Sequence, residues 1–154
     1  NPFQCNLGYQ VSLSGKGEWN KQSDYVGKEA LEKMKQQIKS GEKPYKLQLA
    51  GLELGGKPIE DYANDFYLIS NANGGKPVGY ITSPWYHPEK GKNIAMGYVP
   101  FEGNLNNNGF PIGNFGKKYK VHLPKKYSSK PVEAVVVPIP FTQSFNANTR
   151  ESKK

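Results

Sequence analysis

Cysteine and arginine are nearly missing from this chain, and histidine is scarce. Cys5 is the only cysteine, so no intramolecular disulfide and no cysteine-based zinc site is available. Such usage suits a reducing compartment and predicts a cytoplasmic protein. The two histidines, His87 and His122, stand too far apart in sequence to be read as a metal site, and no metal is expected. No apolar run comes near the roughly 20 residues that cross a bilayer as a helix, and no signal-peptide pattern is found, so no membrane partner is expected. The chain starts at Asn1 without Met, which predicts a piece of a longer polypeptide.

What is present is basic, polar and rich in turn formers. Lysine and arginine together number 21 against 13 acidic residues, a formal charge of +8. Hydrophobic residues make up 36% of the chain and the mean hydropathy is -0.73, with 17 glycines and 12 prolines. A length of 154 residues fits one domain, or one domain plus an extension, with a modest core and long loops. A positive surface attracts anionic partners through its long-range field. The lysines are scattered and no nucleic-acid-binding signature is found, so nucleic acid is not an expected partner. Small polyanions fit the charge equally well.

The hydrophobic pattern changes period along the chain. Leu31, Met34 and Ile38, with Ala30 beside them, mark one face of a single amphipathic helix. Ser23 or Asp24 offers its N-cap, and Ser40-Gly41 its C-terminal stop. From Lys46 the period becomes two. Leu47 and Leu49 alternate, then Leu52 and Leu54 in the opposite phase, which predicts a bulge at Ala50-Gly51. Further strands are expected at 66–70, 78–82, 93–99, 119–123 and 132–137, with turns at Asn71 to Gly75 and a proline-bounded loop from Ser83 to Lys92. The expected fold is mainly β: a six-stranded barrel or jelly-roll-like domain preceded by a linker and one amphipathic α-helix.

Several ordered stretches resemble one enzyme family. Asn1-Pro2-Phe3-Gln4 with Leu7-Gly8 resembles its linker, and Tyr25-Val26-Gly27-Lys28-Glu29-Ala30-Leu31 its helix start. Val78-Gly79-Tyr80-Ile81-Thr82-Ser83, Ser83-Pro84, Asn93-Ile94-Ala95-Met96-Gly97-Tyr98-Val99 and Pro140-Phe141 resemble its successive barrel motifs. The run Gly74 to Pro100 is the most specific of these. The family is that of the glycine-cleavage T-protein, together with dimethylsulfoniopropionate demethylase and aromatic O-demethylases. The Asn1-Pro2-Phe3 linker with Cys5, and the Trp85-Tyr86 pair, look closer to the demethylase branches. The resemblance implies the C-terminal part of an enzyme that passes a methyl or aminomethyl unit from a small donor to tetrahydrofolate. It implies a division into 1–44, a linker and helix ending the preceding folate-binding domain; 45–142, the barrel; and 143–154, a polar tail. The implied partners are the donor and the N-terminal domains of the same enzyme. The catalytic carboxylate is expected in those domains, so this chain should hold no catalytic residue.

Three residues are candidates for folate contact. Arg150 is the only arginine, and only a guanidinium offers a planar fork for a carboxylate. Tetrahydrofolate ends in a glutamate, and Thr149-Arg150-Glu151 resembles the basic ending of T-protein-like chains. Trp85 and Tyr86, in the expected loop, offer aromatic faces for stacking or for covering one mouth of the barrel. His87 beside them is a candidate proton shuttle. Gln4 replaces the family's glutamate, and Glu60-Asp61-Tyr62 stands where an Arg-x-Gly-Tyr stretch is common. The rival reading is a stand-alone, non-catalytic β-barrel module that binds an anionic ligand or a protein partner.

Overall fold

A computed structural model describes residues 1–11, 13, 25–105 and 114–141. Arg150 and the cap candidates Ser23 and Asp24 lie outside the described residues. The chain divides into two compact units, Asn1–Gln48 with Phe101–Ile112, and Leu49–Pro100 with Gly113–Lys154.

In the first unit, helix α1 spans Lys28–Lys39. It starts after Gly27, whose φ of 91° breaks the preceding chain direction. Its end is a Schellman motif. The Glu42 N–H donates to the Gln37 carbonyl and the Gly41 N–H to the Ile38 carbonyl, with Gly41 at φ 86°. Leu31, Met34 and Ile38 pack with Phe3, Tyr45 and Phe101. Ala30 is exposed and does not share that face as the spacing predicted.

The second unit carries the barrel. Six strands, β1 (Leu47–Leu54), β2 (Tyr67–Asn71), β3 (Gly74–His87), β4 (Lys92–Pro100), β5 (Lys118–Val121) and β6 (Val132–Val137), close in the order β1-β4-β3-β2-β5-β6. The fold is therefore the mainly β, six-stranded antiparallel barrel that the sequence predicted, preceded by one helix. Leu52, Ile69, Ile81, Val99, Val121 and Val136 point inward and form the core.

Two local expectations need correction. β1 has no change of phase. Gln48, Ala50, Leu52 and Leu54 are all buried in one phase, with Gly51 between them buried as well. The apparent switch arose because Gln48, a polar residue, takes an inward position. Its amide donates to the Phe3 carbonyl at 3.0 Å and to Asn6 Oδ1. The second correction concerns residues 83–92. The strand does not stop at Thr82 but runs to His87, and only Pro88–Lys90 and Gly91 turn the chain. Prolines normally end a ladder because they lack an N–H. Here the ladder shifts register between Ile81 and Ser83, and Pro84 follows that bulge opposite Ala95.

Candidate functional site

Because Trp85 and Tyr86 are neighbours on a strand, they face opposite ways. The structure therefore separates two residues that the sequence had put in one loop. Trp85 points outward, half exposed, into a shallow pocket of ≈ 230 Å³ lined by Tyr62, Ala63, Thr82, Ser83 and Pro84. Tyr86 lines a different cleft of ≈ 350 Å³, where Glu53, Gly55, Lys92, Asn93 and Glu133 meet. One bound ring cannot stack on both.

The Tyr86 cleft is built by Asn93. This side chain is buried, and three hydrogen bonds tie it to the connection that follows β1. Its Oδ1 accepts from the Ile59 N–H at 2.9 Å, and its amide donates to the carbonyls of Gly55 at 3.2 Å and Lys57 at 3.0 Å. The Ile59 carbonyl in turn accepts the Tyr86 N–H at 2.9 Å. Ile59 is thus stitched to β3 and β4 and inserts into the core. A buried amide making three hydrogen bonds fixes backbone position better than apolar packing alone, since any shift leaves polar groups unpaired.

Glu53 sets the charge of the cleft. Its carboxylate takes Lys92 Nζ at 2.9 Å and Lys90 Nζ at 3.3 Å. Partial burial pushes its pKa up, but the hydrogen bonds and charges of Lys92 and Lys90 outweigh that and hold it below the usual carboxylate range. A depressed folded pKa contributes stability above the unfolded value, near 4.3, and loses it as pH falls through the folded value. Glu53→Gln is expected to cost about 1 kcal/mol at pH 7. Urea unfolding at pH 7 and pH 3 checks this: the gap to the parent chain should close at the lower pH.

His87 ends β3 opposite Lys92, and its Nδ1 is buried without a partner among the described residues. Asp61 binds Lys126 at 2.6 Å and the Tyr127 hydroxyl at 3.1 Å, bonds that hold its carboxyl below the usual range. The sequence reading missed the Asn93 and Glu53 networks. A lone Asn at the head of an apolar strand was the only signal for the first, and nothing adjacent in sequence marked Glu53.

Residues 48–142, more than half of the chain and all six strands but for Leu47, match the glycine cleavage T-protein C-terminal barrel domain. The chain belongs to the glycine-cleavage T-protein family. It is similar to the aminomethyltransferase of Thermosynechococcus vestitus, 35% identical over 86% of this chain and 29% of that protein. The aminomethyltransferases of Thermotoga sp. (strain RQ2) and Desulforamulus reducens are 34% and 32% identical, each over 92% of this chain and 30% of the relative. The chain therefore spans about three tenths of the length of the curated relatives it matches. No helix among the described residues is long and apolar enough to cross a membrane.

Proposed function

We propose that this chain is the barrel-bearing C-terminal portion of a tetrahydrofolate-dependent transferase that moves a one-carbon unit from a small donor to folate. The observation that carries this is the family match across the barrel, joined to relatives named as aminomethyltransferases. Those names favour an aminomethyl donor over the methyl donors of the demethylase branches.

Tetrahydrofolate would supply the nitrogen nucleophile that takes up the one-carbon unit. The described residues fit it only as one wall. The pocket at Trp85, ≈ 230 Å³ and open, is smaller than the roughly 300–1,000 Å³ that encloses a small ligand. Trp85 offers an exposed face to a flat ring, while the remaining walls would come from the preceding domains of the same enzyme. Arg150 is the proposed clamp for the glutamate carboxylates. Tyr86 faces the other cleft and serves the barrel end. Rate enhancement then rests on holding donor and folate in reacting geometry, with the acid–base carboxylate outside this chain. The alternative of a free-standing module binding an anion gains nothing from the Tyr86 cleft, where Glu53 and Glu133 offset Lys92.

The test is a donor screen with the full-length polypeptide, reading one-carbon folate products by chromatography. Transfer from an aminomethyl or methyl donor is expected, and none from the 154-residue chain alone. Arg150→Lys in the full-length enzyme should weaken folate binding about tenfold, the loss of roughly one charged bond. An unchanged folate Kd would remove Arg150 from the site.

A further inference from the structure

The hairpin between β2 and β3 has the tip Asn71-Ala72-Asn73-Gly74-Gly75. Asn71 pairs with Gly74, so Ala72 and Asn73 make the turn. Gly74 and Gly75 follow with φ 85° and 99°, a path that glycine takes without steric cost. The loop is thus closed by a left-handed glycine, as in many short hairpins. Asn71, Ala72 and Asn73 are all exposed, and a Cβ placed on Gly74 or Gly75 would meet nothing within 4 Å. Regular pairing of β2 with β3 runs from Tyr67–Ile81 to Ile69–Gly79, and the register then shifts on both sides of Ser70. The tip therefore joins the ladder through an irregular joint and can change shape without moving the core strands.

Asparagine is a thermolabile residue. Its side-chain amide is open to attack by the next backbone nitrogen, and glycine at that next position puts no side chain in the way. We propose that Asn73 is a self-modification site, converted to isoaspartate by attack of the Gly74 nitrogen. The nitrogen gives up its proton and bonds to Asn73 Cγ. The Cγ–Nδ2 bond breaks, and ammonia leaves with that proton. A five-membered succinimide then spans residues 73 and 74. Water opens the ring. Addition at Cγ gives aspartate. Addition at the main-chain carbonyl carbon of residue 73 gives isoaspartate, in which the backbone runs through Cβ and Cγ. The net change is amide and water to acid and ammonia, with nothing oxidised or reduced. The tip gains a carboxylate three residues from Lys76, and the isoaspartyl form lengthens the backbone by one methylene. Asn71 is the contrast within the same hairpin. The methyl group of Ala72 crowds its reaction, and pairing with Gly74 on one side and Tyr119 of β5 on the other holds it in the sheet. Asn93 is buried and precedes the β-branched Ile94.

The test holds the folded full-length polypeptide at pH 7 and at pH 8, digests it in acid and maps the peptides by electron-transfer fragmentation, which separates isoaspartate from aspartate. Asn73 should convert at least tenfold faster than Asn71 or Asn93, chiefly to isoaspartate, and faster at pH 8 because the nitrogen must lose its proton. A second readout uses an isoaspartyl O-methyltransferase with labelled S-adenosylmethionine, which moves its methyl group to the isoaspartyl carboxylate. The peptide spanning Asn73 should take the label after incubation, and the same peptide of Asn73→Gln should not. Peptides holding Asn108-Gly109, outside the described residues, are read separately. A lead of less than tenfold over Asn71 overturns the proposal. So does conversion to aspartate alone, the mark of direct hydrolysis without the ring, or label that persists in the Asn73→Gln peptide.

Discussion

Gly79→Ala is expected to destabilise the barrel by about 3 kcal/mol or more, the upper end of the range for forcing extra atoms into a packed site. Gly79 is buried on β3 opposite Ile69. A Cβ at this position would meet the Tyr98 carbonyl oxygen well inside 3 Å, closer than real Cβ atoms stand. The obstructing atoms belong to the β4 backbone, which is held in register by the Tyr80–Tyr98 pair, so no side chain can rotate out of the way. Gly97 has the reciprocal role on β4, with a Cβ there falling 2.7 Å from the Tyr80 carbonyl oxygen. The two strands thus cross at a pair of glycines, and the bend that closes the barrel depends on their missing side chains. Gly55→Ala is the matched control. Its Cβ would touch Val132 at an ordinary 3.6 Å, and a change within about 1 kcal/mol is expected. Urea unfolding of the three chains decides the matter: equal midpoints for both alanine variants would show that the close crossing is not what Gly79 serves.

Much of this architecture was legible because its signals are local. The i, i+3, i+7 spacing of Leu31, Met34 and Ile38 located α1, and Ser40-Gly41 its end, since a left-handed residue after a helix requires glycine. Val132–Val137 was read to the residue because Ala134 and Val136 alternate inward without interruption. The errors occurred where a distant partner decides. Pro84 reads as a strand breaker by itself. It is tolerated because a bulge precedes it, and because the neighbouring Tyr86 N–H bonds to Ile59 across the barrel end rather than to a proline-disrupted ladder. Gln48 broke the apolar alternation because its partners, Phe3 and Asn6, lie more than forty residues away. Exposure has the same limit. Trp85 and Tyr86 are adjacent aromatic residues in a line of sequence, and only the pleat assigns one to the outer face and the other to the Glu53 cleft.

Asn93 carries the second large effect. Asn93→Ala is expected to cost about 3 kcal/mol, most of it from a single group. The Ile59 N–H is sealed in the core and would lose its acceptor, a penalty of roughly 1–3 kcal/mol, whereas Gly55 and Lys57 are exposed and their carbonyls can turn to water. The cavity left beside Ile59 adds the rest. Asn93→Asp separates donor from acceptor. It keeps an oxygen for the Ile59 N–H but sets the other carboxylate oxygen against the Gly55 and Lys57 carbonyls, where the amide donated. That opposition favours the protonated acid, so the folded pKa of the new carboxyl is raised above its ordinary value near 3.9. The sign is then opposite to that of Glu53: the variant is most stable below the unfolded pKa and loses stability as pH rises through the folded one. Its deficit against the parent chain should widen from pH 4 to pH 7, measured by thermal or urea unfolding, while the alanine deficit stays flat. A pH-independent deficit in the aspartate chain would mean that the Asn93 amide does not donate to those carbonyls. The connection from Gly55 to Ile59 would then owe its place to packing, and the Tyr86 cleft would keep its shape without the amide.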